Sequence, residues 1–369
     1  MKKIVLFIDN LGPGGAQRQL VNMGLLLKER GYDVSMMVYY DIPFYKKMLD
    51  DANIPVKLIQ NDSIFSRIVH TRKALIEARA AVVIAFMETP GFLACLTKCL
   101  GGRFKLITNE LSAKASTFNS PKNKIYNIFE RYSDAKICNS ENAMDMWRKH
   151  YPQYNEKYGV IYNPVIIPDK LLQASPQRRP DEKFRITVAA SYQLLKNPLR
   201  VIDAVSLLDA EHQNKLDLQW YGKAEVTLGN REVYEQAQAM VLERGLTHCV
   251  HLNQETDQIY TLMKNSDAVG LFSTVEGLPN AICEGMALGK PIIMSRVSDY
   301  RTLTEGNGFS CDPHSTESIR DALMQLLDSP AEQLEKMGRN SAQKAEKLFS
   351  KKAIIGQWID LIEKLTEQN

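Results

Sequence analysis

The sequence predicts an α/β protein that contains two doubly wound parallel sheets, one after the other along the chain. Short apolar runs without strict alternation alternate with stretches of helical period, the pattern of a parallel sheet covered by helices on both faces. This rhythm stops at residues 164–183 and then restarts. The length of 369 residues also exceeds the size at which a single core usually keeps growing.

The first half contains six strand-like runs that are apolar on both faces. They are 3–8, 33–40, 80–87, 105–108, 135–140 and 159–164. Helical patterns lie between them at 16–30, 91–100 and 141–150, and Gly31 and Gly101 follow two of these as helix-ending glycines often do. The amino end is predicted to be the first strand and not a signal peptide, because no small-residue cleavage site follows its short apolar run.

A proline-rich segment separates the halves, since 164–183 holds four prolines and no sustained period. The strands predicted after it are 184–191, 216–222, 250–253, 268–273, 291–295 and 308–311. The helices predicted there are 197–208, 231–244, 255–265, 279–288 and 315–328, followed by two more in 331–366. The resulting domains are 1–165, a linker at 166–183, a second domain at 184–350, and a last helix at 351–369 that packs back on the first domain.

The charge of the chain is divided unevenly between the halves. Residues 1–165 hold 23 Lys and Arg against 15 Asp and Glu, and the remainder holds 23 against 28. A basic half suits contact with an anionic partner such as membrane headgroups or a phosphorylated substrate, although a merely solvated surface also fits. No nucleic-acid-binding signature accompanies it, so no nucleic-acid partner is expected.

The six cysteines lack the paired spacing of metal ligands, which favours reduced thiols in a cytoplasmic protein. No segment reaches the roughly 18 uninterrupted apolar residues of a membrane span. The chain also contains no DxD stretch and no HExxH or comparable cluster. We therefore expect no metal ion and no cofactor.

Two strand-to-helix loops are candidate ligand sites, because open parallel sheets bind ligands beyond the carboxyl ends of their strands. The first is "DNLGPGGAQRQL", residues 9–20, where Gly12, Gly14 and Gly15 let the backbone approach a bound group. A plain strand-to-helix turn remains open as an alternative. The loop misses the GxGxxG dinucleotide pattern, because Gln17 stands at the third glycine position.

The second loop is "TVEGLPNAICEGMALGKP", residues 274–291. Glu276 precedes a helix predicted to begin near Pro279, and Glu284 lies about one turn inside it. The amides of Gly277, Leu278 and Asn280 would face the same cleft. Amides bind phosphate oxygens and carboxylates accept hydrogen bonds from sugar hydroxyls, so this loop suits an anionic, hydroxyl-rich ligand. A capping glutamate beside a solvated one is the alternative.

These motifs resemble the retaining glycosyltransferases of family 4. "EGLPNAICEGMALGKPII" is similar to the E-x7-E signature of that family, "LGPGGAQRQL" to its glycine loop, "VIYNP" to its entry into the linker, and "VAASYQLLKNP" to its phosphate-binding loop. The resemblance covers nearly the whole chain and is strongest over 250–312. It implies the GT-B fold, in which two Rossmann-like domains face a cleft.

The resemblance also implies roles for individual residues. Glu284 would bind the ribose of a nucleotide-sugar donor, Glu276 the hydroxyls of the transferred sugar, and Lys196 the diphosphate. The remaining positions that match donor-binding residues are Gly14, Gly15, Ser191, Leu252, Asn253, Gly277, Leu278 and Asn280. The implied reaction is metal-independent transfer from a UDP- or GDP-sugar with retention of configuration, in which fixed positive groups oppose the charge growing on the leaving phosphate.

Two positions depart from the family pattern. Ser191 stands where most members carry an arginine, so a hydroxyl replaces a bidentate cation on the diphosphate. After the strand at 105–108, Asn109 and Glu110 stand where many members place a histidine. Glu110 is a candidate catalytic residue with Glu276 and Lys196, and Glu88, Asn109 and Glu110 are candidates for acceptor binding. A solvated strand-end glutamate is the alternative for Glu110.

The acceptor expected from the resemblance is a glycan or a lipid-linked glycan of the cell surface. The segment "SPKNKIYNIFERYSDAK", 120–136, mixes Lys122, Lys124 and Arg131 with apolar residues and could contact an anionic membrane. A crossover helix whose apolar side is core also fits this segment. The expected location is cytoplasmic, with possible peripheral contact with the inner face of the membrane.

Two other functions remain open from the sequence. A degenerate transferase that serves as a nucleotide-sugar-binding sensor or assembly partner would fit the loss of arginine at Ser191. A nucleotide-sugar epimerase on the same architecture would need an acid/base pair and histidines in the cleft, which the sequence does not show.

Overall fold

The computed structural model describes residues 2–59, 63–111, 116–172, 182–225 and 229–367. The chain divides into two compact units, one formed by Met1–Pro164 with Lys351–Asn369 and the other by Val165–Ser350. Half of the predicted linker, residues 173–181, lies outside the described part of the chain. Each unit is built on one parallel sheet, which confirms the predicted fold class.

The first unit contains a seven-stranded sheet in the order β3-β2-β1-β4-β5-β6-β7. Its strands are β1 Lys3–Phe7, β2 Asp33–Val38, β3 Val56–Leu58, β4 Val82–Phe86, β5 Lys105–Glu110, β6 Ala135–Cys138 and β7 Tyr158–Val160. All neighbouring pairs are parallel. The helices that cover the sheet are α1 Gly15–Glu29, α2 Lys46–Asp51, α3 Ile64–Ala78, α4 Glu88–Cys99, α5 Ser116–Asn119, α6 Pro121–Phe129 and α7 Glu141–His150.

Among the elements of the first unit that escaped the sequence analysis are β3, α2 and α3. β3 has only three residues, and two of them are exposed at the edge of the sheet, so it lacks an apolar run. α2 has only six residues and buries only Leu49. α3 buries Leu75 but exposes Ile64 and Phe65, so its apolar residues do not form one face.

The second unit contains a six-stranded sheet in the order β10-β9-β8-β11-β12-β13. Its strands are β8 Phe184–Ala189, β9 Leu216–Tyr221, β10 Val250–Asn253, β11 Ala268–Leu271, β12 Ile292–Ser295 and β13 Gly308–Cys311, all paired in parallel. Its helices are α8 Pro198–Ser206, α9 Ala210–Lys215, α10 Glu232–Glu243, α11 Ile259–Lys264, α12 Asn280–Ala287, α13 Tyr300–Thr304, α14 Thr316–Leu327 and α15 Ala331–Phe349. The first unit also contains short 3-10 helices at Glu130–Tyr132 and Pro152–Lys157, and the second contains them at Asp169–Leu171 and Leu194–Lys196.

The last helix, α16 Lys351–Glu367, belongs to the core of the first unit. Its buried side chains pack in the same apolar cluster as Leu20 of α1 and Ile137 of β6; they are Ile354, Ile355, Trp358, Ile362 and Leu365. Glu363 accepts a hydrogen bond from the Tyr32 hydroxyl at 2.7 Å and pairs with Lys2. The apolar face of this amphipathic helix therefore packs against the sheet of the first unit.

One glycine sets the position of α12 on its sheet. A Cβ built on Gly285 would lie 2.7 Å from the Cβ of Val269 on β11, closer than carbon atoms approach. Gly285 thus lets α12 lie directly on β11. The helix that carries Glu284 is fixed in height above the sheet by this contact.

The cysteines are free, and all except Cys99 are buried. Burial raises the pKa of the Cys249 thiol to about 11 and that of the Cys311 thiol to about 12. These thiols are therefore protonated at neutral pH and pack as small apolar groups. Within the described ranges, every helix is too short or too polar to cross a bilayer.

A histidine joins two helices of the second unit away from the strand ends. Asp209 caps α9 by accepting the His212 amide at 3.0 Å, and it also bonds the Nδ1 of the same residue at 2.8 Å. The Nε2 of His212 lies 3.2 Å from Asp328 at the end of α14. The hydrogen bond to Asp209 is the largest cause that raises the pKa of His212 above its ordinary value, and Asp328 adds to it.

We expect this histidine to make the stability of the second unit depend on pH. Its folded-state pKa is raised, so its contribution is complete below the unfolded pKa near 6.5 and is lost as the pH rises through the folded pKa. The free energy of unfolding of wild type minus that of His212→Gln should therefore be larger at about pH 5.5 than at about pH 8.5. Urea unfolding of both proteins at both pH values measures this difference.

His248→Gln is the matched control, because this exposed ring bonds the Gly245 carbonyl at 3.1 Å. That variant should show the same difference from wild type at both pH values. If the free energy of unfolding of wild type minus that of His212→Gln is the same at both pH values, the raised pKa of His212 is contradicted.

Candidate functional site

Glu276 lies in the loop that leaves the carboxyl end of β11. The Oε1 atom of Glu276 accepts a hydrogen bond from the hydroxyl of Ser273 at 2.6 Å. Ser273 is itself buried, and its carbonyl accepts a bond from the Ser295 hydroxyl at 2.6 Å on the neighbouring strand β12. The carboxylate is thus fixed to the edge of the sheet and does not extend into solvent.

Lys196 reaches the same carboxylate from the loop that follows β8. Its Nζ donates to Glu276 Oε1 at 2.5 Å, and the side chains of Lys196 and Glu276 are 21% and 13% exposed. The two loops are also joined through their backbones, because the Thr274 amide donates to the Leu195 carbonyl at 2.8 Å. A pair this shielded from water interacts more strongly than a pair on the surface. The structure thus brings together two motifs that lie 80 residues apart.

The turn after Lys196 has a demanding backbone conformation. Asn197 has φ +69°, in the left-handed region where asparagine is better tolerated than most residues. Its side-chain amide donates to the Pro313 carbonyl at 2.8 Å, and Pro198 opens α8 directly afterwards. The lysine therefore lies in the turn directly before α8.

Glu284 is buried on α12, one turn after the helix begins. Its Oε1 accepts a hydrogen bond from the Tyr260 hydroxyl at 3.2 Å. No acidic residue occupies the first turn of α12 and no side chain caps it. Among the described residues, no acceptor bonds the backbone amides of Gly277 and Leu278. The helix start therefore offers backbone donors between two carboxylates.

The remaining predicted donor residues of the second unit lie where β8 and β10 end. The Ser191 hydroxyl accepts a bond from the Gln193 side chain at 3.0 Å. The buried Tyr192 hydroxyl donates to the Asn253 carbonyl at 2.9 Å and lies 3.2 Å from the Trp220 carbonyl. Leu252 and Asn253 are half-buried at the end of β10. Tyr192, which sequence reasoning missed, therefore joins the ends of three strands.

The glycine loop of the first unit begins α1. Gly14 precedes the helix in an extended conformation, and a Cβ on it would lie 2.1 Å from Gln17 Oε1. A side chain at position 14 would therefore displace the end of the Gln17 side chain, which also donates to Asp9 Oδ1 at 3.2 Å. A Cβ on Gly15 would meet no atom within 4 Å, so the space beside Gly15 is open.

Glu110 is the last residue of β5 and is 6% exposed. The alternative of a solvated strand-end glutamate is therefore wrong. The Trp147 indole donates to its Oε2 at 3.3 Å, and the Lys136 Nζ lies 3.9 Å from the centre of the Trp147 ring. Burial lowers the pKa of Lys136, but the carboxylates of Glu130 and Glu110 raise it by more, so the pKa lies above its ordinary value. Glu110 thus lies in a buried network of charges.

The other two candidates for acceptor binding lie at the same edge of the first sheet. Asn109 precedes Glu110 on β5, is buried, and its Oδ1 has no hydrogen-bond partner among the described residues. Glu88 is exposed in the first turn of α4, directly after β4, and accepts a bond from the Asn123 side chain at 3.0 Å. Strands β4 and β5 are neighbours, so these residues share one end of the sheet.

The predicted site residues therefore form two sets, each at the carboxyl edge of one sheet. The set in the second unit is Ser191, Lys196, Leu252, Asn253, Glu276, Gly277, Leu278, Asn280 and Glu284. The set in the first unit is Gly14, Gly15, Glu88, Asn109 and Glu110. In the part of the chain that the structure describes, no three His, Cys, Asp or Glu side chains group as metal ligands do.

Two family models match the chain. "Glycosyltransferase Family 4" matches residues 13–167, and "Glycosyl transferases group 1" matches residues 169–344. Together with the GT-B architecture of two parallel-sheet units, they show that the chain belongs to the retaining glycosyltransferases of family 4. The resemblance drawn from the motifs is confirmed, and the protein is a glycosyltransferase of the hexosyltransferase type.

Known proteins resemble the chain at low identity over most of its length. The GalNAc-α-(1→4)-GalNAc-α-(1→3)-diNAcBac-PP-undecaprenol α-1,4-N-acetyl-D-galactosaminyltransferase of Campylobacter jejuni is 23% identical over 78% of this chain and 77% of its own. A second enzyme of that organism, N-acetylgalactosamine-N,N'-diacetylbacillosaminyl-diphospho-undecaprenol 4-α-N-acetylgalactosaminyltransferase, is 21% identical over 95% and 96%. The crystal structure of Anabaena Alr3699/HepE in complex with UDP and glucose has a TM-score of 0.82 at 18% identity, covering 99% of this chain and 100% of that one.

We expect the contact between Lys196 and Glu276 to stabilise the second unit measurably. A double-mutant cycle of Lys196→Met and Glu276→Gln should give a coupling of about 1.5–3 kcal/mol, the usual range for a hydrogen bond to a charged group. Urea unfolding of the four proteins measures this coupling.

The control cycle uses Lys46→Met and Asp50→Asn on α2. That pair has an N–O distance of 2.6 Å, but both side chains are about half exposed, so its coupling should be about 0.3–0.5 kcal/mol. Equal couplings in the two cycles would show that the Lys196–Glu276 contact is no stronger than a surface pair.

Proposed function

We propose that this enzyme transfers a sugar from a UDP-sugar to a lipid-linked glycan of the cell surface, without a metal ion. The observation that supports the donor site most directly is the bond between Lys196 and Glu276. It places a cation and a carboxylate side by side at the carboxyl edge of the second sheet, next to the start of α12. A nucleotide-sugar needs this combination, because its diphosphate is anionic and its sugar carries hydroxyls.

Each donor group has a counterpart in the second unit under this proposal. Lys196 and the amides of Gly277, Leu278 and Asn280 bind the diphosphate, while Glu284 binds the ribose. Glu276 binds hydroxyls of the transferred sugar. Its contact with Lys196 supports this assignment, because the sugar and the diphosphate are adjacent parts of one donor molecule. Ser191 adds a hydroxyl beside the phosphates, and Leu252 and Asn253 lie beside the base.

The chemistry of the proposal follows from charge. As the anomeric bond breaks, negative charge grows on the leaving diphosphate. Lys196 and the helix-start amides are fixed donors aimed at that charge, and donors of this kind supply most of the rate enhancement in many enzymes. With Ser191 in place of an arginine, Lys196 carries the main positive charge at the diphosphate. Removing Lys196 should therefore slow the reaction more than removing the lysine does in a family member that also has the arginine.

The acceptor is assigned to the first unit. Glu110 orients the acceptor hydroxyl, and the hydrogen bond from Trp147 fixes its carboxylate at the end of β5. Asn109 and Glu88 provide polar groups at the same edge. Both Campylobacter jejuni relatives are named for acceptors linked to undecaprenol diphosphate, which supports a lipid-linked acceptor.

The first unit also carries a surface suited to an anionic membrane. Ile125 and Ile128 of α6 are 56% and 52% exposed, and Lys122, Lys124 and Arg131 are exposed beside them. Tyr126 and Phe129 of the same helix pack against Phe92 at ring-centre distances of 4.1 and 5.1 Å, which supports a packing role for that side of the helix. The exposed face therefore combines apolar and basic groups, as interfacial helices do.

We expect Glu284→Ala to weaken UDP binding by about 10- to 100-fold, the loss of a charged hydrogen bond to the ribose. Calorimetry with UDP and GDP measures this change and identifies the nucleotide. The control is Glu305→Ala, which removes an exposed glutamate at the end of α13 and should bind as wild type does. Unchanged affinity in Glu284→Ala would remove the donor-site assignment.

A donor panel then separates the enzyme from the sensor. Wild type incubated with UDP- and GDP-sugars should release free sugar and nucleotide slowly, and should transfer the sugar to a polyprenyl-diphosphate-linked N-acetylhexosamine with retained configuration. Tight donor binding with complete inertness would favour the sensor, and conversion of one UDP-sugar into its epimer would favour the epimerase.

We expect Ile125→Ser with Ile128→Ser to reduce membrane association by about tenfold, because each isoleucine would lose apolar burial at the bilayer surface. Co-sedimentation with vesicles of phosphatidylglycerol and phosphatidylethanolamine measures this. Wild type should not sediment with phosphatidylcholine vesicles, which lack the negative charge.

The matched control replaces two exposed leucines of the second unit, Leu207→Ser with Leu242→Ser. This variant should sediment as wild type does. Equal loss in the two double variants would show that exposed apolar area in general drives the association and not the face of α6.

A further inference from the structure

Ser298 has a backbone conformation that serine rarely adopts. It lies three residues after β12, in the loop before α13, and its φ is +53°. In this left-handed region a Cβ is crowded by the backbone, so glycine is the usual residue. A residue other than glycine keeps this backbone conformation only when the surrounding structure requires it, and such residues concentrate at functional sites.

The side chain of Ser298 is used for one contact with the donor loop. Its hydroxyl donates to the carbonyl of Gly277, which is 21 residues earlier in the chain and directly follows Glu276. The side chain thus joins the loop after β12 to the loop after β11, whose strands are neighbours in the sheet.

This contact also fixes the direction of the next amide. A trans peptide is planar, so the carbonyl of Gly277 and the N–H of Leu278 point in opposite directions. Ser298 holds the carbonyl toward the β12 side of the loop. The Leu278 amide therefore points toward the other side, where β8 and its Lys196 loop lie, because the strand order is β8-β11-β12.

The Leu278 amide has no acceptor among the described residues, although the residue is buried. Buried backbone donors are nearly always bonded, so this amide, two residues after the Glu276 that pairs with Lys196, is a candidate donor to an acceptor from outside the chain.

We propose that Ser298 is a positioning residue for the donor diphosphate. It acts through the Gly277 carbonyl, which turns the Leu278 amide toward the phosphate oxygens that Lys196 also binds. Ser298 itself touches neither the donor nor the reacting atoms. The inference rests on the proposed function, since it assigns the phosphates of the donor to this loop.

The test compares the affinities of Ser298→Ala and Ser298→Gly for UDP and for uridine, measured by calorimetry. Both variants lose the hydroxyl, and glycine adopts a positive φ without the steric cost of a Cβ, so Ser298→Gly should keep the loop conformation and fold. Both should bind UDP about three- to tenfold more weakly, as the loss of one hydrogen bond predicts, and should bind uridine as wild type does. A merely structural role would weaken both ligands equally.

Ser329→Ala is the matched control, because the Ser329 hydroxyl also donates to a backbone carbonyl, that of Gln325 at 2.8 Å, but at the far end of α14. It should bind UDP and uridine normally. Wild-type affinity for UDP in Ser298→Gly, or an equal loss for UDP and uridine, would overturn the inference and leave the proposed function standing. Wild type that binds neither UDP nor GDP would instead overturn the proposed function, and this inference with it.

Discussion

One oxygen of Glu276 accepts hydrogen bonds from both Lys196 and Ser273. Lys196 follows β8 and Ser273 follows β11, and these strands are neighbours that run in the same direction. The parallel register therefore brings the two loops to one edge, and the shared oxygen fixes them there. Three further residues support this arrangement. Asn197 forms the turn before α8, and Gly285 lets α12 lie close to β11. Ser298 bonds the carbonyl of Gly277.

The two units use buried carboxylates in different ways. Glu276 is paired directly with a lysine, so its charge is balanced at short range. In the first unit, Lys136 pairs with Glu130 at 3.2 Å, while Glu110 bonds a neutral indole. The Lys136 ammonium thus feels the field of both carboxylates, which raise its pKa. A buried carboxylate at the end of β5 suits a group that accepts a hydrogen bond from a hydroxyl.

The sequence predicts the elements whose apolar pattern is local. β10 and β13 begin and end at the predicted residues, because Leu252 in the first and Phe309 in the second lie in short segments between predicted helices. The same locality explains the donor loop, where Glu276 and Glu284 are fixed by the start of a single helix. β3 could not be found in this way, since an exposed edge strand of three residues has no pattern to detect.

The contacts that sequence reasoning missed join residues distant in the chain. Tyr192 bonds a carbonyl 61 residues away, Tyr260 a carboxylate 24 residues away and Ser298 a carbonyl 21 residues away. No period or spacing marks these residues, because each depends on how two loops meet after the sheet has formed. The burial of Glu110 has the same origin, since it follows from Trp147 on another element.

The place of α16 has a consequence for the order in which this protein matures on the ribosome. Its side chains fill the apolar cluster that also contains Ile84, Ile107 and Ile137, yet it is synthesised after every other described element. The amino-terminal sheet therefore emerges first, and the part of its face that α16 covers stays exposed while the whole second unit is translated. During that interval the nascent chain exposes apolar side chains of the kind that chaperones bind, until α16 packs against them.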